Sequence, residues 1–322
     1  MALFKFITRP SPGNHEFYDE HGQTGVAGYG YFSYFNGFQI NTSGSNAGTP
    51  ITTTLADPCP SSMTGCGYPG ATTPNPQPIP RSDGQAGHFE QTGGVGSTSP
   101  AGGTVGVADG WYSYNLGSWH LISLNIECET QPGGCSESGS WFASELAWLK
   151  HDLATNHSAC TLAYWHQPTF SPANSISEEG ITAQAFWQLL YEYNADLVLN
   201  GHDHLYARYR PLDPSGNYDP RRGLRQFNVG TGGETLDTVV TATVTSGAGE
   251  TNMEDPQGRT NFNALNIENS TGFYWGVMGL TLNRNSYAWD FESALEAPLA
   301  GAPASPTFSD KGVGICHGSG NW

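Results

Sequence analysis

The chain has 322 residues, of which 37% are hydrophobic, with 42 Gly, 21 Pro and a formal net charge of −17 from 29 acidic and only 12 basic residues. Such a surface repels nucleic acid and anionic membranes, so a phosphate-bearing ligand would need local positive charge from metal ions or clustered arginines. No apolar run approaches the roughly 20 residues of a membrane-spanning helix, and no signal peptide opens the chain.

Residues 1–40 are rich in aromatic side chains, among them Tyr29, Tyr31, Phe32, Tyr34, Phe35 and Phe38. Residues 41–110 are dominated by Gly, Ser, Thr and Pro and read as an insertion or lid. From 111 onward the pattern becomes regular. Trp111–Leu116 and Trp119–Ile126 predict a strand pair turned at Gly117-Ser118. Phe142, Leu146, Leu149 and Leu153 recur at helical spacing and predict a helix over 140–156, with Ser140 as its N-cap. Cys160–Trp165 reads as a buried strand, 181–194 as a second helix and Asp196–Leu199 as a short apolar strand. Gln226–Val229, Phe273–Leu282 and Tyr287–Phe291 supply later strands, and the Pro/Ala/Gly-rich tail from 297 reads as an extended wrap. Strand–helix–strand–helix–strand order over 119–200 predicts an α/β layered domain, with an antiparallel sheet beside it built from the later strands. No internal repeat or linker divides the chain, which reads as a single domain over 1–322.

The six cysteines suggest the disulfides Cys59–Cys66 and Cys128–Cys135 by proximity, which leaves Cys160–Cys316 as a long-range pair. Neither short pair has zinc-knuckle spacing, and disulfides imply an exported, extracellular protein whose signal lies outside this sequence.

Three segments carry chemistry: Pro12-Gly13-Asn14-His15-Glu16, Tyr164-Trp165-His166-Gln167-Pro168 and Asn200-Gly201-His202-Asp203-His204. In the last two an apolar strand ends in histidine, and the carboxyl ends of strands in α/β sheets face the ligand crevice. Gly201 is expected to let the backbone turn tightly, so that His202 and His204 aim two imidazoles at neighbouring points. Neutral imidazole ligates zinc, iron and similar metals, and Asn14 can add an amide oxygen. Five of the 12 basic residues, Arg208, Arg210, Arg221, Arg222 and Arg225, follow the third segment. They read either as a phosphate-attracting cluster or as a solvated hairpin beside acidic residues. His88 in the insertion is a lesser candidate, and His21, His120, His151, His157 and His317 read as surface or structural.

In their order these segments resemble the calcineurin-like metallophosphoesterase superfamily, and more closely bacterial secreted phosphatases of the purple acid phosphatase type. That site is defined by five motifs. The last three are Gly-Asn-His-Glu/Asp, a strand-end His and Gly-His-x-His, and all three stand here. FKFITRPSPGNHEF, SWHLISLN, ELAWLKHDL, CTLAYWHQPTFS, ADLVLNGHDHLYARYRPLDPSG and FNVGTGGE extend the likeness over most of 1–40 and 111–322.

The resemblance implies a layered β-sandwich flanked by helices, with the family's N-terminal strands missing. It implies metal ligands at Asn14, His166, His202 and His204. His15 would contact the phosphate or leaving oxygen and Glu16 would orient His15; Arg208 is a candidate substrate-binding residue from the arginine cluster read above, not from the resemblance. It implies zinc, iron or manganese ions, two in a complete enzyme, and in-line attack of a metal-activated hydroxide on a phosphomonoester.

The two earlier motifs, which supply the bridging aspartate and most ligands of the first metal, do not stand in this sequence. At most one weakly held ion is therefore expected here. Three situations stay open: a piece of a longer enzyme, self-association or a partner chain that covers the missing strands, or a catalytically inactive binding or structural protein on a phosphatase-like fold.

Overall fold

The computed structural model describes residues 8–17, 31, 110–130, 133–138, 140–173, 182–239, 266–294 and 307–318. The insertion up to residue 109, Cys59–Cys66, His21, His88 and the parts of the tail at 297–306 and 319–322 lie outside them. The chain divides into two compact units, one of residues 1–114 and 122–149 and the other of residues 115–121 and 150–322.

In the first unit a single helical turn, α1 (Asn14–Phe17), follows a segment tied to its neighbours by polar contacts. The Pro10 carbonyl accepts from the Tyr112 hydroxyl at 2.8 Å and from the Ser123 hydroxyl at 3.2 Å, and the Ser11 hydroxyl donates to the Leu124 carbonyl at 2.9 Å. Trp111 packs edge-on to Trp141, ring centroids 4.9 Å apart. The Cys128–Cys135 disulfide is formed.

Helix α2 (Trp141–Thr155) runs from the first unit into the second. It starts where expected: the Ser140 hydroxyl accepts from the Ala143 N–H at 3.0 Å, satisfying one of the helix's unpaired amides. Phe142, Leu149 and Leu153 form its buried stripe.

The second unit contains most of a seven-stranded sheet. Its strands are β1 (Tyr112–Leu116), β2 (Trp119–Ser123), β3 (Cys160–Trp165), β4 (Leu197–Asn200), β5 (Tyr206–Leu212), β6 (Leu224–Val229) and β7 (Ile267–Thr271), in the order β1-β2-β3-β4-β6-β5-β7. The unit boundary passes through the β1–β2 hairpin. β3, β4 and β6 run parallel, whereas β5 is antiparallel to both β6 and β7. Helix α3 (Gln184–Glu192) connects β3 to β4 and buries Phe186, Trp187 and Leu190. It ends at Asn194, whose φ of 55° is the left-handed conformation that stops a helix.

A second, three-stranded antiparallel sheet has the order β10-β9-β8, formed by β8 (Gly276–Leu282), β9 (Ser286–Ser293) and β10 (Ser309–Ile315). The inner face of β9 packs on the large sheet. Phe291 stacks on Tyr206 of β5 at 4.2 Å between centroids, and Trp289 meets Phe227 of β6 at 5.4 Å. The layered α/β sandwich read from the sequence is thus present.

Four elements differ from expectation: β6, expected in the separate antiparallel sheet, is a parallel neighbour of β4 in the large sheet, β7 matches no expected strand, and the other two are the tail and β5. The tail holds a strand, β10, stapled by the Cys160–Cys316 disulfide. The arginine-bearing segment after the Gly-His-x-His turn is an interior strand, β5, in which the guanidinium groups of Arg208 and Arg210 find partners and Tyr206, Ala207, Tyr209 and Leu212 are buried, with the register shifting at Arg208.

Candidate metal centre

β3 and β4 are parallel neighbours in a register that pairs Trp165 with Asn200. The next residues, His166 and Gly201, therefore leave the sheet side by side, and the Gly201 N–H donates to the His166 carbonyl at 2.9 Å. One residue further, His202 returns its imidazole over His166. Nε2 of His166 and Nδ1 of His202 lie 3.3 Å apart, with the rings nearly perpendicular at 83°.

The sharp turn is made by His202, whose φ is 62°, and not by Gly201. This corrects the expectation for the glycine: a Cβ at Gly201 would meet the His166 Nδ1 at 3.6 Å, an ordinary contact. A non-glycine residue in the left-handed region costs roughly 1–3 kcal/mol and concentrates at functional sites.

His204 points its Nδ1 at the Thr235 carbonyl, 2.8 Å away. A carbonyl only accepts, so Nδ1 carries the proton and the Nε2 lone pair is left for another partner. The backbone at His204 is clasped by Asp237: the His204 N–H donates to Asp237 Oδ2 at 2.7 Å, and the Asp237 N–H donates to the His204 carbonyl at 2.9 Å.

Between the two motif histidines, Asp203 is buried and accepts from the Ser171 hydroxyl. Burial pushes its carboxyl up to about 7, with Asp237 adding to the rise and the Ser171 hydrogen bond opposing it. The Gly230 loop closes over this turn so tightly that a Cβ there would stand 2.0 Å from the Asp203 carbonyl oxygen.

Buried polar atoms flank the imidazole pair. Both amide atoms of Gln167, the Thr169 hydroxyl and the Asn200 Oδ1 have no hydrogen-bond partner among the described residues. Each such group costs about 1–3 kcal/mol in an apolar surrounding, so these strand ends are built for polar company.

The donor set fits a transition metal. Two metal–nitrogen bonds of about 2.0–2.1 Å at a tetrahedral angle place their nitrogens roughly 3.3–3.4 Å apart, and the imidazole nitrogens of His166 and His202 stand 3.3 Å apart. Among the described residues, the one set of three His, Cys, Asp or Glu with ligand atoms within 4.8 Å of one another lies elsewhere, at Cys160, Asp196 and Cys316.

In the other unit, Asn14 is half-buried and His15 and Glu16 are exposed. The Glu16 carboxylate turns back to accept from the Gly13 N–H at 2.7 Å and caps its own helical turn. Arg208 bonds to Asp310 through Nε at 2.6 Å, pairs with Glu268 and lies 4.9 Å over the Trp289 ring. Arg225 shares Glu268 and the same ring, at 5.3 Å.

Sequence reading did not single out Asp203, Ser171 or Asp237. Asp203 was legible as the buried position inside the Gly-His-x-His turn. The other two are reached only through contacts from distant segments.

No family model matches the chain. In sequence it is 33% identical over 115 residues to purple acid phosphatase 15 of Arabidopsis thaliana, a match that covers 33% of this chain and 20% of that protein. It is 25% identical over 226 residues to an acid phosphatase of Aspergillus ficuum, covering 58% of this chain and 36% of the relative. The chain thus spans between a fifth and about a third of the length of these curated relatives. Among solved structures, a purple acid phosphatase from yellow lupin seeds aligns with a TM-score of 0.40 at 15% identity, over 62% of this chain and 32% of the other. In sequence, the chain resembles the purple acid phosphatases.

Proposed function

We propose that this chain carries part of the active site of a metal-dependent phosphoesterase acting on phosphomonoesters. The observation that supports it best is the approach of His166 Nε2 and His202 Nδ1 to 3.3 Å at the carboxyl ends of adjacent parallel strands. The proposed ligands are His166 and His202, with Asn14 and His204 added on the sequence resemblance. His15 is proposed to contact the phosphate.

When bound, a zinc, manganese or iron ion would neutralise phosphate oxygens and lower the pKa of an attacking water. The chain's own groups prepare for this. The Thr235 carbonyl fixes the His204 tautomer with Nε2 as the ligating atom. The Asp203–Ser171 and Asp237 contacts hold the turn that carries both motif imidazoles. Arg208, engaged by Asp310 and Glu268, is assigned to tying β5 to β10 and not to substrate. Two disulfides agree with an exported protein, which belongs to the same proposal.

The purified chain supplied with zinc, manganese or iron is assayed on p-nitrophenyl phosphate beside its His202→Ala variant, with metal uptake followed by calorimetry. Metal-dependent hydrolysis that falls at least tenfold in the variant supports the proposal. Metal uptake lost in the variant but without hydrolysis in wild type would point to the non-catalytic binding alternative. No uptake at His202 at all would overturn both.

A further inference from the structure

At the opposite end of β3 from His166, a second set of ligand-type groups converges. Cys160 opens β3, Asp196 immediately precedes β4 and Cys316 immediately follows β10. Their sulfur and carboxylate atoms lie within 4.8 Å of one another, and all three residues are buried. Six strand residues at about 3.3 Å each separate this cluster from the imidazole pair, so it belongs to a different place in the fold.

The carboxylate is fixed in position. The Thr161 N–H donates to Oδ2 at 2.8 Å and the His317 N–H to Oδ1 at 2.5 Å, while the His317 Nδ1 stands 3.2 Å from Oδ1. An ionised carboxylate has about four acceptor positions, so ligating capacity remains after these contacts. In the oxidised chain the two sulfurs are bonded to each other.

We propose that Cys160, Cys316 and Asp196 form a redox-gated metal site, which in the reduced chain holds one zinc-class divalent cation through two thiolates and a carboxylate. The reductant is an external thiol. Two thiol molecules give up two electrons and two protons and join in a disulfide; the Cys160–Cys316 bond breaks, and each sulfur takes one proton. Binding of the cation then releases those two protons as two sulfur–metal bonds form.

Two thiolates and a carboxylate suit zinc, which takes Cys and Asp ligands and tolerates three protein donors with a fourth position open. Two zinc–sulfur bonds of about 2.3 Å set the sulfurs roughly 3.8 Å apart, which is within reach of two side chains whose Cα atoms are 5.4 Å apart. Asp196 lines a cavity of about 290 Å³ together with Thr161, Gly318 and the acidic residue Glu192. The metal would close the same 156-residue span as the disulfide, so the tail strand would stay stapled in either redox state.

The full chain is reduced with a phosphine that is then removed, and titrated with cobalt(II) and zinc beside the oxidised chain. The reduced chain is expected to bind one additional equivalent with a thiolate-to-cobalt charge-transfer band. Cys316→Ser should lose that equivalent. Asp196→Asn should weaken it at least tenfold. The Cys128→Ser/Cys135→Ser double variant and His166→Ala should keep it, which separates this site from the proposed phosphoesterase centre.

The proposal is overturned if reduction adds no equivalent, if the equivalent follows Cys128 and Cys135, or if Asp196→Asn binds within twofold of wild type. Circular dichroism keeps the variants interpretable. A reduced chain that unfolds and does not regain structure with zinc also overturns it.

Discussion

His166 Nε2 and His202 Nδ1 stand 3.3 Å apart although 36 residues separate them in the chain. The approach follows from strand register: once Trp165 pairs with Asn200, the two segments leave the sheet together and the left-handed His202 folds its ring back. A slip of one residue would turn every side chain of β4 to the other face and destroy the pair. The imidazole distance is therefore a direct readout of the β3–β4 register.

Because the two rings are proposed to bind one ion, their removal should be non-additive. His166→Ala and His202→Ala should each lower metal affinity at least tenfold, a floor taken from the about 10–100-fold effect of groups that only support ligands. The double variant should lose much less than the sum. Calorimetry on the four species of the cycle checks this, and strict additivity would mean that the two imidazoles do not share an ion.

Gly230 should tolerate no side chain. Its Cβ position lies 2.0 Å from the Asp203 carbonyl oxygen, a backbone atom that cannot swing away. Gly230→Ala should cost about 1–3 kcal/mol or more, as overpacking does. It should also displace the turn between His202 and His204 and lower metal affinity. By contrast, Gly201→Ala should be mild, since its Cβ meets only the His166 ring at 3.6 Å. Denaturant midpoints of the two variants provide the comparison.

These contrasts show what the sequence made legible. Periodic apolar residues marked α2, and an apolar run closed by histidine marked β3, because burial patterns are local. The Cys160–Cys316 and Cys128–Cys135 pairs were also readable, the second from proximity. The strand β5 was hidden, since its arginines suggest solvent until Asp310, Glu268 and Trp289 arrive from later segments to neutralise and cover them. β10 was hidden for a related reason: Gly312 and Gly314 weaken the strand signal, and only the rings of Trp289 and Tyr287 lying over them explain their place. At the candidate site, the histidines were visible as a motif. Asp237 and Ser171, which hold their turn, were not, because no spacing rule connects them to it.

The tie between the two sheets should weaken in acid. Burial pushes the Asp310 carboxyl up, but the hydrogen bonds from Arg208 and Tyr206 outweigh it and hold the group below its usual value. A carboxyl whose pKa is lower in the folded chain contributes stability that is present above its unfolded pKa of about 3.9. That contribution is lost as pH falls through the folded value. Asp310→Asn should therefore destabilise the chain at pH 7 and flatten its stability profile at the acid end. Asp310→Ala should cost about 1–3 kcal/mol, because Arg208 and Tyr206 lose their shared acceptor while Arg208 keeps Glu268 and the Trp289 ring. Urea unfolding at several pH values tests both, and an unchanged acid limb in Asp310→Asn would remove Asp310 from this role.

The glycines of β10 offer a sharper test of the same sheet contact. Gly312 is paired with Trp289 and Gly314 with Tyr287 across the β9–β10 ladder, and each ring occupies the space a side chain on its partner glycine would need. A Cβ at Gly312 would stand 2.2 Å from Trp289 Cζ2, and one at Gly314 would stand 2.1 Å from Tyr287 Cζ. Trp289 cannot simply rotate away, because Arg208 and Arg225 lie over its ring at 4.9 and 5.3 Å and Phe227 meets it at 5.4 Å. Gly312→Ala should therefore destabilise by about 1–3 kcal/mol and disturb the two guanidinium groups that lie over the indole. Trimming the ring should partly rescue it: Gly312→Ala combined with Trp289→Leu should cost less than the two single changes added together. Denaturant unfolding of the cycle measures the coupling. Independent, additive costs would show that the indole is not what excludes a side chain at position 312.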